Sequence, residues 1–546
     1  MKKYLFIALA AMGFAACAEK AENNVPVNNG EKEQSYMAVT FTADDLTRAE
    51  ENLEFAEGTE EERAVKSAYV FFFKENGEAF YVTDGDPSVN GGPKNYIAVD
   101  LQKDGQNMDN VSDIHKSVLV LKNYKGEYPA QVVAVLNWTP AQNSYTLENL
   151  QTKITALGND TDGYVMSNAV YMDFAGKAKY ATDLRIENIV KRTAGESEDD
   201  AKERAAASPV VIQVERVAAK VEFGAKNGGK FHVGEVDSKP VYAQITGFEL
   251  YNDYEESWLI KKIDTAWSTL PGFGFSNWNN PDWLRSYWAK SLGGDFGENN
   301  TFSWDLNGEA EDVNHSAYAN GEAAKPVYCG ENTREWTEAK DVRTKVIVTA
   351  QLVEQDGTTP VELVQWYGKY YVTEEAGRTV VANTLANNYY YSTDNQNFTG
   401  IEGGDLKCVM RAVTDAKAFE VYFQLSDDGE AKTWYEYKDG DYSEIALDVL
   451  NERLAAVEPA LVYTNGMTYY YTDIKHLGTP GSTTEFGVVR NHVYRVRIDK
   501  IVGYGTPIYD GSVNFITPEK PVDVSTYVAA QINILSWRVV DPGYEI

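Results

Sequence analysis

Cysteine and histidine are scarce in this chain, which has 3 Cys and 5 His among its 546 residues. The histidines show no HExxH, HxH or HxxxH spacing, and the cysteines form no C-x-x-C pair, so the sequence contains no zinc or redox motif. No G-x-S-x-G occurs either, so the nucleophile elbow of an α/β-hydrolase is absent. We therefore expect a protein that is not an enzyme and that uses no cofactor or metal.

Basic residues are also few, with 50 Lys and Arg against 82 Asp and Glu, which gives a net charge of −32. Such an acidic surface repels phosphate backbones, so we expect no nucleic-acid partner. Tyrosine, in contrast, is abundant at 36 residues. Many aromatic residues together with few cysteines are typical of a β-rich protein outside the cytoplasm.

The N-terminus has the pattern of an export signal. Lys2 and Lys3 precede an apolar run, Tyr4 to Ala16, that is too short to span a bilayer as a permanent helix. Small residues then lead into Cys17, as they do in a bacterial lipobox. Residues 1–17 are therefore predicted to be a lipoprotein signal peptide ending at a lipidated Cys17, which would hold the precursor at the outer membrane. An ordinary signal peptide is the alternative.

A predicted strand follows a polar, Asn-rich tether. Met37, Val39 and Phe41 alternate with the other residues of SYMAVTFTA, which predicts a half-buried strand. The next stretch, Asp44 to Glu62, is strongly acidic. We expect it to be exposed, because a core element cannot be built from so many carboxylates.

Short alternating runs separated by Gly, Asn and Asp turns dominate the rest of the chain. Ala68–Phe73 is apolar on both faces, which predicts a central strand. Val210–Phe223 is predicted to be one long strand, followed by the Gly- and Lys-rich break Gly224–Lys230. Helical spacing occurs at Leu147–Leu157 and Ser443–Val457. These patterns predict an all-β fold with minor α content, built from a pair of β-sandwich domains.

The predicted domain boundary lies at the Gly- and Lys-rich break, between an N-terminal domain of residues 49–225 and a C-terminal domain of residues 226–546. The second domain contains a Trp-rich segment with Trp258, Trp267, Trp278, Trp283, Trp288 and Trp304. These side chains either form a carbohydrate-binding surface or, as we favour, pack a long insert of the sandwich. Cys329 and Cys408 lie in unrelated stretches and are predicted to be isolated thiols, with a disulfide as the alternative.

The chain ends in a long alternating strand. Its apolar residues are Val528, Ala530, Ile532 and Ile534 on one face, followed by Leu535, Trp537 and Val539 on the other. The change of face at Ile534–Leu535 predicts a β-bulge or a change of partner strand. Such a terminal strand can complete the open edge of a neighbouring sheet by β-augmentation.

Five motifs, in this order, resemble those of the fimbrillins, or type V pilins, of Bacteroidales, in particular the major subunits of short fimbriae. They are the lipobox-like Cys17, SYMAVTFTA followed by Arg48-Ala49, VIQVERVAAKV, VVRNHVYRVRIDKI and the terminal INILSWRV. The resemblance covers both ends of the chain and the predicted domain junction. It is weakest between Tyr251 and Asn397.

The resemblance implies two tandem transthyretin-like β-sandwich domains and a defined maturation route. An Arg-specific surface protease would cut between Arg48 and Ala49, with Arg63 as a competing site. Cleavage would remove the propeptide, residues 18–48, together with its strand. The groove left behind would accept the last strand of another copy, roughly Tyr527 to Val540. The implied partners are other copies of the chain, accessory tip and anchor subunits, and the protease.

The resemblance favours a stalk subunit of a cell-surface fimbria that supports adhesion, because the chain has both a removable strand and a donor strand. A tip or anchor role in the same fibre is an alternative. A second hypothesis is a monomeric surface lipoprotein that binds glycans through the Trp-rich segment. An extracellular glycosidase is a third, with no motif in its support.

Overall fold

Strands dominate the computed structural model of the chain, which confirms the predicted all-β class. The structure describes residues 35–42, 55–83, 92–103, 106–107, 117–121, 127–172, 178–263, 290–293, 315–333, 342–410, 420–476, 485–511 and 527–538. Within these ranges the α-helices are Glu60–Arg63, Leu147–Gln151, Glu198–Ala206, Glu374–Leu385, Asp427–Glu430 and Leu447–Ala455. The 3-10 helices are Ile186–Asn188, Lys226–Gly229, Gly403–Asp405 and Thr464–Gly466. The division into two transthyretin-like domains, with its boundary at residue 225, stays a prediction.

The first sheet contains the predicted N-terminal strand. In order across the sheet, its strands are Ser117–Leu121, Ser35–Thr42, Val210–Arg216, Met166–Asn168, Gln131–Leu136, Ala68–Phe73 and Tyr96–Ala98. Two more strands join it, Val190–Lys191 beside the start of Ser35–Thr42, on the edge that also pairs with Val210–Arg216, and Thr182–Asp183 beside Gln131–Leu136. Val70 and Phe72 enter one apolar core, whereas Phe71 and Phe73 enter the core on the opposite face. The predicted central strand is therefore confirmed, because both of its faces are buried.

Two further sheets share one apolar core, as in a β-sandwich. The strands of the five-stranded sheet are, in order, Phe55–Glu57, Tyr527–Arg538, His492–Val502, Ala219–Ala225 and Val327–Cys329. Those of the seven-stranded sheet are Glu322–Ala323, His315–Ala319, Lys239–Tyr251, Lys345–Val353, Met467–Asp473 and Thr506–Pro507, with Lys230–Val236 beside Lys239–Tyr251.

A segment that the sequence did not single out forms two more sheets with a core of their own. It is inserted between Lys345–Val353 and Met467–Asp473, which pair with each other. One sheet consists of Lys369–Val372, Leu363–Trp366, Ala460–Tyr463, Glu420–Leu425 and Leu406–Met410, and the other of Thr399–Gly400, Tyr389–Tyr391, Trp434–Lys438 and Asp441–Ile445. Val381, Leu450 and Leu454, from the two longest helices of this insert, are buried in the same core.

Four short two-stranded ladders complete the described strands. They are Gly158–Asn159 with Gly163–Tyr164, Tyr171–Met172 with Ala178–Lys179, Glu256–Trp258 with Ile154–Ala156, and Gln102–Lys103 with Gln106–Asn107.

The single strand predicted over Val210–Phe223 is wrong. Val210–Arg216 belongs to the first sheet and Ala219–Ala225 to the five-stranded sheet. Val217 and Ala218, which connect the two strands, are fully buried. The apolar pattern therefore continues while the chain passes from one sheet to the other, so no polar break in the sequence marks the crossing.

Both predicted helices are shorter than their periodic segments. The first ends at Gln151, and Ile154–Ala156 that follows is a strand. The second begins at Leu447, after the strand Asp441–Ile445. In both segments a strand borders the helix directly, and its apolar residues extend the helical pattern beyond the helix itself.

The two described cysteines are buried free thiols, which confirms the prediction of isolated thiols. Cys329 lies in the sandwich core and Cys408 in the core of the insert.

Candidate functional site

The predicted removable strand, Ser35–Thr42, is an interior strand of the first sheet. On one edge its residues Ser35–Val39 pair antiparallel with Ser117–Leu121. On the other edge Val39–Thr42 pair parallel with Val210–Gln213, and Ser35 and Tyr36 pair with Val190–Lys191. We call Ser35–Thr42 the first strand. Its removal would leave unpaired backbone groups on both sides of the gap.

The first strand is buried on both faces, so the prediction of a half-buried strand is wrong. Met37 and Val39 lie in the core of the first sheet and are fully buried, as expected. Tyr36 and Ala38, on the opposite face, are equally inaccessible. They pack in a cluster with the helix Glu198–Ala206, which we call the cover helix. The cover helix hides the face that the alternation in the sequence would leave in water.

Ala201 and Ala205 of the cover helix are fully buried beside Tyr36 and Ala38. They lie four residues apart and therefore on one face of the helix. Their short side chains allow helix and strand to approach closely. A residue larger than Ala38 would meet the helix at this point, because neither partner leaves accessible space.

The cover helix has a clear start signal that our reading of the sequence missed. The Ser197 hydroxyl accepts a hydrogen bond from the Asp200 amide at 3.1 Å, and the Asp200 carboxylate accepts one from the Ser197 amide at 3.3 Å. This reciprocal pair is a capping box. Acidic residues in the first turn also favour the positive end of the helix dipole. The pattern Ser-x-x-Asp before two alanines four residues apart could have predicted this helix.

The segment after the predicted cleavage site is held between the sheets by Glu62. Its carboxylate lies 2.9 Å from Lys220 Nζ and accepts a hydrogen bond from the Tyr328 hydroxyl at 2.6 Å. Arg216 Nε donates to the backbone carbonyl of Glu62 at 2.9 Å. Arg216 belongs to the first sheet, whereas Lys220 and Tyr328 belong to the five-stranded sheet. Glu62 is fully buried, so the prediction that the acidic stretch is exposed is wrong at this residue.

The ionisation of this group of residues follows from its surroundings. Burial opposes the charge on Glu62, but hydrogen bonds from Tyr328 and Lys220 and the Lys220 charge outweigh it and lower the pKa of Glu62. Burial raises the pKa of Tyr328, so its hydroxyl keeps its proton and donates a hydrogen bond to the Glu62 carboxylate. Burial lowers the pKa of Arg216 to about 10, which still leaves a cation at neutral pH.

The last strand, Tyr527–Arg538, lies within the five-stranded sheet of its own chain. It pairs antiparallel with His492–Val502, from Tyr527 opposite Val502 to Ser536 opposite His492. Its end pairs parallel with Phe55–Glu57. The prediction of a bulge or a change of partner strand at Ile534–Leu535 is wrong, because the register with His492–Val502 is continuous from Ala530 through Ser536. The irregularity of this pair lies in the partner strand, between Ile498 and Lys500.

The structure brings together only part of the predicted site. Val528, Ala530, Ile532, Ile534, Leu535 and Trp537 are in the last strand. Cys17, Arg48, Ala49 and Val539 lie outside the described residues, and so do all members of the Trp-rich segment except Trp258. The roles of these residues stay predictions. The cover helix and the buried contacts of Glu62 with Lys220, Tyr328 and Arg216, which we call the Glu62 anchor, were not predicted from the sequence.

No group of three or more His, Cys, Asp or Glu residues in the described ranges is placed to hold a metal ion. No described helix is long and apolar enough to cross a membrane.

Comparison with known families identifies the C-terminal part of the chain. Residues 461–542 match the family "major fimbrial subunit protein type IV, fimbrillin, C-terminal". This range includes His492–Val502 and the last strand. The match confirms the resemblance to fimbrillins in this part of the chain and supports a fimbrial subunit role. No curated protein sequence matches the chain.

Several solved structures are similar to the chain over most of its length. A fimbrilin, FimA, from Porphyromonas gingivalis is 13% identical, with 93% of this chain and 97% of that chain covered and a TM-score of 0.36. The tip fimbrial protein Mfa3 from the same species, with a C-terminal truncation, is 11% identical, with coverages of 92% and 100% and a TM-score of 0.30. A fimbrial assembly protein from Parabacteroides distasonis is 14% identical, with coverages of 74% and 100% and a TM-score of 0.27.

Proposed function

We propose that this protein is the stalk subunit of a cell-surface fimbria and polymerises by donor-strand exchange. The precursor is exported as a lipoprotein that carries its lipid on Cys17. An Arg-specific surface protease then cuts between Arg48 and Ala49, which frees the first strand. The last strand of another copy fills the groove, and the resulting fibre supports adhesion. Accessory tip and anchor subunits complete the fibre.

The observation that carries this proposal is the position of the first strand. It is an interior strand, yet it precedes the predicted cleavage site, so cleavage after Arg48 would cut the backbone between this strand and the rest of the sheet. Full burial of Met37 and Val39 stabilises the sheet by roughly 1.5–3 kcal/mol each. A subunit that loses this strand exposes apolar surface and two open strand edges, so it has a strong tendency to take up a replacement.

The environment of Arg63 supports Arg48 as the processed residue. Arg63 lies in the helix Glu60–Arg63, and its amide donates to the Thr59 carbonyl at 3.1 Å. The amide of Ala64 donates to the Glu61 carbonyl at 3.2 Å. A protease needs a segment that it can bind in an extended conformation, and hydrogen-bonded, packed backbone resists this.

Donation also requires the last strand to leave its own sheet. In its own chain this strand is paired along most of its length with His492–Val502. Exchange therefore replaces one set of strand pairs by another. The net driving force comes from the groove, because its apolar surface and unpaired strand edges stay exposed until a strand enters it.

Blocking cleavage tests the proposal. Arg48→Ala should leave an uncleaved chain that stays monomeric, because the first strand still fills its place in the sheet. Arg63→Ala is the matched control and should be cleaved and assembled normally. Deletion of residues 527–546 should allow cleavage but prevent assembly. Mass spectrometry and electron microscopy of cell-surface protein decide between these outcomes, and normal filaments of uncleaved Arg48→Ala protein would disprove the proposal.

A further inference from the structure

The first strand and the last strand have the same pattern of residue types over seven positions. From Tyr36 onward the first strand has the sequence Tyr-Met-Ala-Val-Thr-Phe-Thr. From Tyr527 onward the last strand has the sequence Tyr-Val-Ala-Ala-Gln-Ile-Asn. In both segments the first residue is tyrosine and the third is alanine. The second, fourth and sixth residues are apolar, and the fifth and seventh are polar.

The two faces of the first strand make different demands on a replacement. The face with Met37 and Val39 lies in the core of the first sheet, so it requires apolar side chains. The face with Ala38 packs against the cover helix, so it requires a small side chain at that position. A donor strand must satisfy both faces at once.

Few registers of the last strand satisfy both demands. Its small residues are Ala529, Ala530 and Ser536, so three registers in the direction of the first strand put a small side chain at the place of Ala38. Ser536 in that place would put Trp537, which is far larger, at the fully buried place of Val39. If Ala530 took the place of Ala38, Gln531 would fall at the place of Val39 and bury an amide in the core. With Ala529 there, Ala530 takes the place of Val39, which leaves the core apolar.

The opposite strand direction fits less well. With Ala529 at the place of Ala38 and the strand reversed, Gln531 would replace the fully buried Tyr36. Reversal would also abolish the parallel pairing that the first strand makes with Val210–Gln213. The direction of the first strand preserves this pairing.

We infer that the last strand of a second copy enters the groove in the direction of the first strand, with Tyr527–Ala530 in the places of Tyr36–Val39. In this register the cover helix acts as a size filter, because Ala201 and Ala205 accept only a small residue at position 529. The inference rests on the proposed strand exchange. It adds the register and the direction of the donor strand, and it names residue 529 as the donor position at which the cover helix requires a small side chain.

Two neighbouring alanines of the donor provide a matched test. Ala530→Val restores the volume of Val39 and should leave assembly of Arg-protease-cleaved protein at the wild-type rate or faster. Ala529→Val adds the same two carbons against the cover helix and should slow assembly about tenfold or more, as overpacking of a tight contact does. Thermal melting of both uncleaved variants controls for folding, because both alanines also lie in their own sheet opposite Ile498 and Lys500. Equal effects of the two substitutions, or the reverse order, would overturn the inference.

Disulfide trapping measures the register directly. In the uncleaved chain, Ala38→Cys combined with either Ala201→Cys or Ala205→Cys identifies the helix position that faces residue 38. That helix cysteine should then form an intermolecular disulfide with Ala529→Cys in the polymer, and none with Ala530→Cys. The native thiols Cys329 and Cys408 do not compete, because both are buried and burial raises the pKa of each.

The outcomes separate this inference from the function on which it rests. If cleaved wild-type protein forms no polymer, the proposed strand exchange fails and the inference fails with it. If polymers form but the disulfide joins the cover helix to Ala530→Cys, strand exchange stands and the register is wrong. A disulfide through Ala529→Cys alone supports both.

Discussion

Glu62 connects the start of the predicted mature chain to two sheets at once. Its carboxylate meets Lys220 and Tyr328 from the five-stranded sheet, and its carbonyl meets Arg216 from the first. Each of these partners is far away in the sequence. The carboxylate and the backbone carbonyl of Glu62 thus tie the helix Glu60–Arg63 to both sheets.

Replacing Glu62 should destabilise the fold strongly. Glu62→Ala removes the buried carboxylate that meets Lys220 and Tyr328, while Lys220 keeps its ion pair with Glu222 at 3.0 Å. The free energy of unfolding should therefore fall by about 1.5–3 kcal/mol, the usual contribution of a hydrogen bond to a charged group. The matched control is Glu61→Ala in the same helix, whose exposed side chain should leave stability unchanged. Chemical denaturation of the purified precursor at neutral pH measures both, and an unaltered midpoint for Glu62→Ala would argue against the anchor.

The lowered pKa of Glu62 also gives the sign of a pH effect. Its stabilising contribution is complete above the ordinary value of 4.5 and is lost as pH falls through the lowered pKa. The wild-type precursor should therefore lose stability in acid more steeply than Glu62→Gln, which has no proton to take up at this position. Parallel pH-dependent curves for the two proteins would contradict this assignment.

At the scale of elements, the cover helix gives the first strand a second buried face. Strand alternation alone assigns one face of SYMAVTFTA to the core and the other to solvent. The helix lies far along the chain, at residues 198–206, and covers the face assigned to solvent. In the proposed exchange, this helix would form one wall of the groove and would restrict the size of the side chains that a replacement strand can place there.

A larger residue at position 38 should lower the stability of the uncleaved precursor but not that of the cleaved protein. Ala38→Leu places a bulky side chain against Ala201 and Ala205, which should destabilise the uncleaved protein by about 1–3 kcal/mol. Val211→Leu in the adjacent strand is the control, because Val211 is 49% exposed and tolerates a larger side chain. Melting curves of the uncleaved proteins measure the difference. After cleavage at Arg48 the variant should match wild type, since the altered residue has been removed.

At the scale of the whole molecule, the proposed assembly would bring together cleaved subunits that each carry a net charge of −31, because residues 1–48 hold 6 acidic and 5 basic residues of a chain whose net charge is −32. Like charges repel across the solvent, and the repulsion is screened over about 10 Å at 0.1 M salt and about 3 Å at 1 M. The contacts that the proposed exchange would form between strand and groove are apolar contacts and backbone hydrogen bonds, which salt weakens much less. The overall charge therefore acts mainly on the rate at which two subunits approach each other.

Polymerisation of cleaved subunits should become faster as salt increases. Raising the ionic strength from about 0.01 M to about 0.1 M shortens the screening length from about 30 Å to about 10 Å, so the initial rate should rise severalfold. Light scattering follows the rate, and an equal concentration of an uncharged osmolyte is the control. A rate that falls with salt would show that attraction between opposite charges, and not apolar strand insertion, drives assembly.

The sequence by itself determined the features that depend on local pattern. Alternation identified the all-β class, the first strand, the central strand Ala68–Phe73 and the last strand, because side-chain direction in a strand repeats every two residues. The motifs at the ends of the chain carried the resemblance to fimbrillins, and the match over residues 461–542 confirmed it in the C-terminal part.

Only the tertiary structure decided which distant residues meet. Nothing near Tyr36 or Ala38 in the sequence indicates that a helix at residues 198–206 buries them, and nothing near Glu62 indicates Lys220 or Tyr328. The crossing between sheets at Val217–Ala218 is hidden for the same reason, since buried residues continue through it. Periodicity records whether a side chain is buried, but its partner is fixed by the path of the whole chain, which brings remote segments into contact.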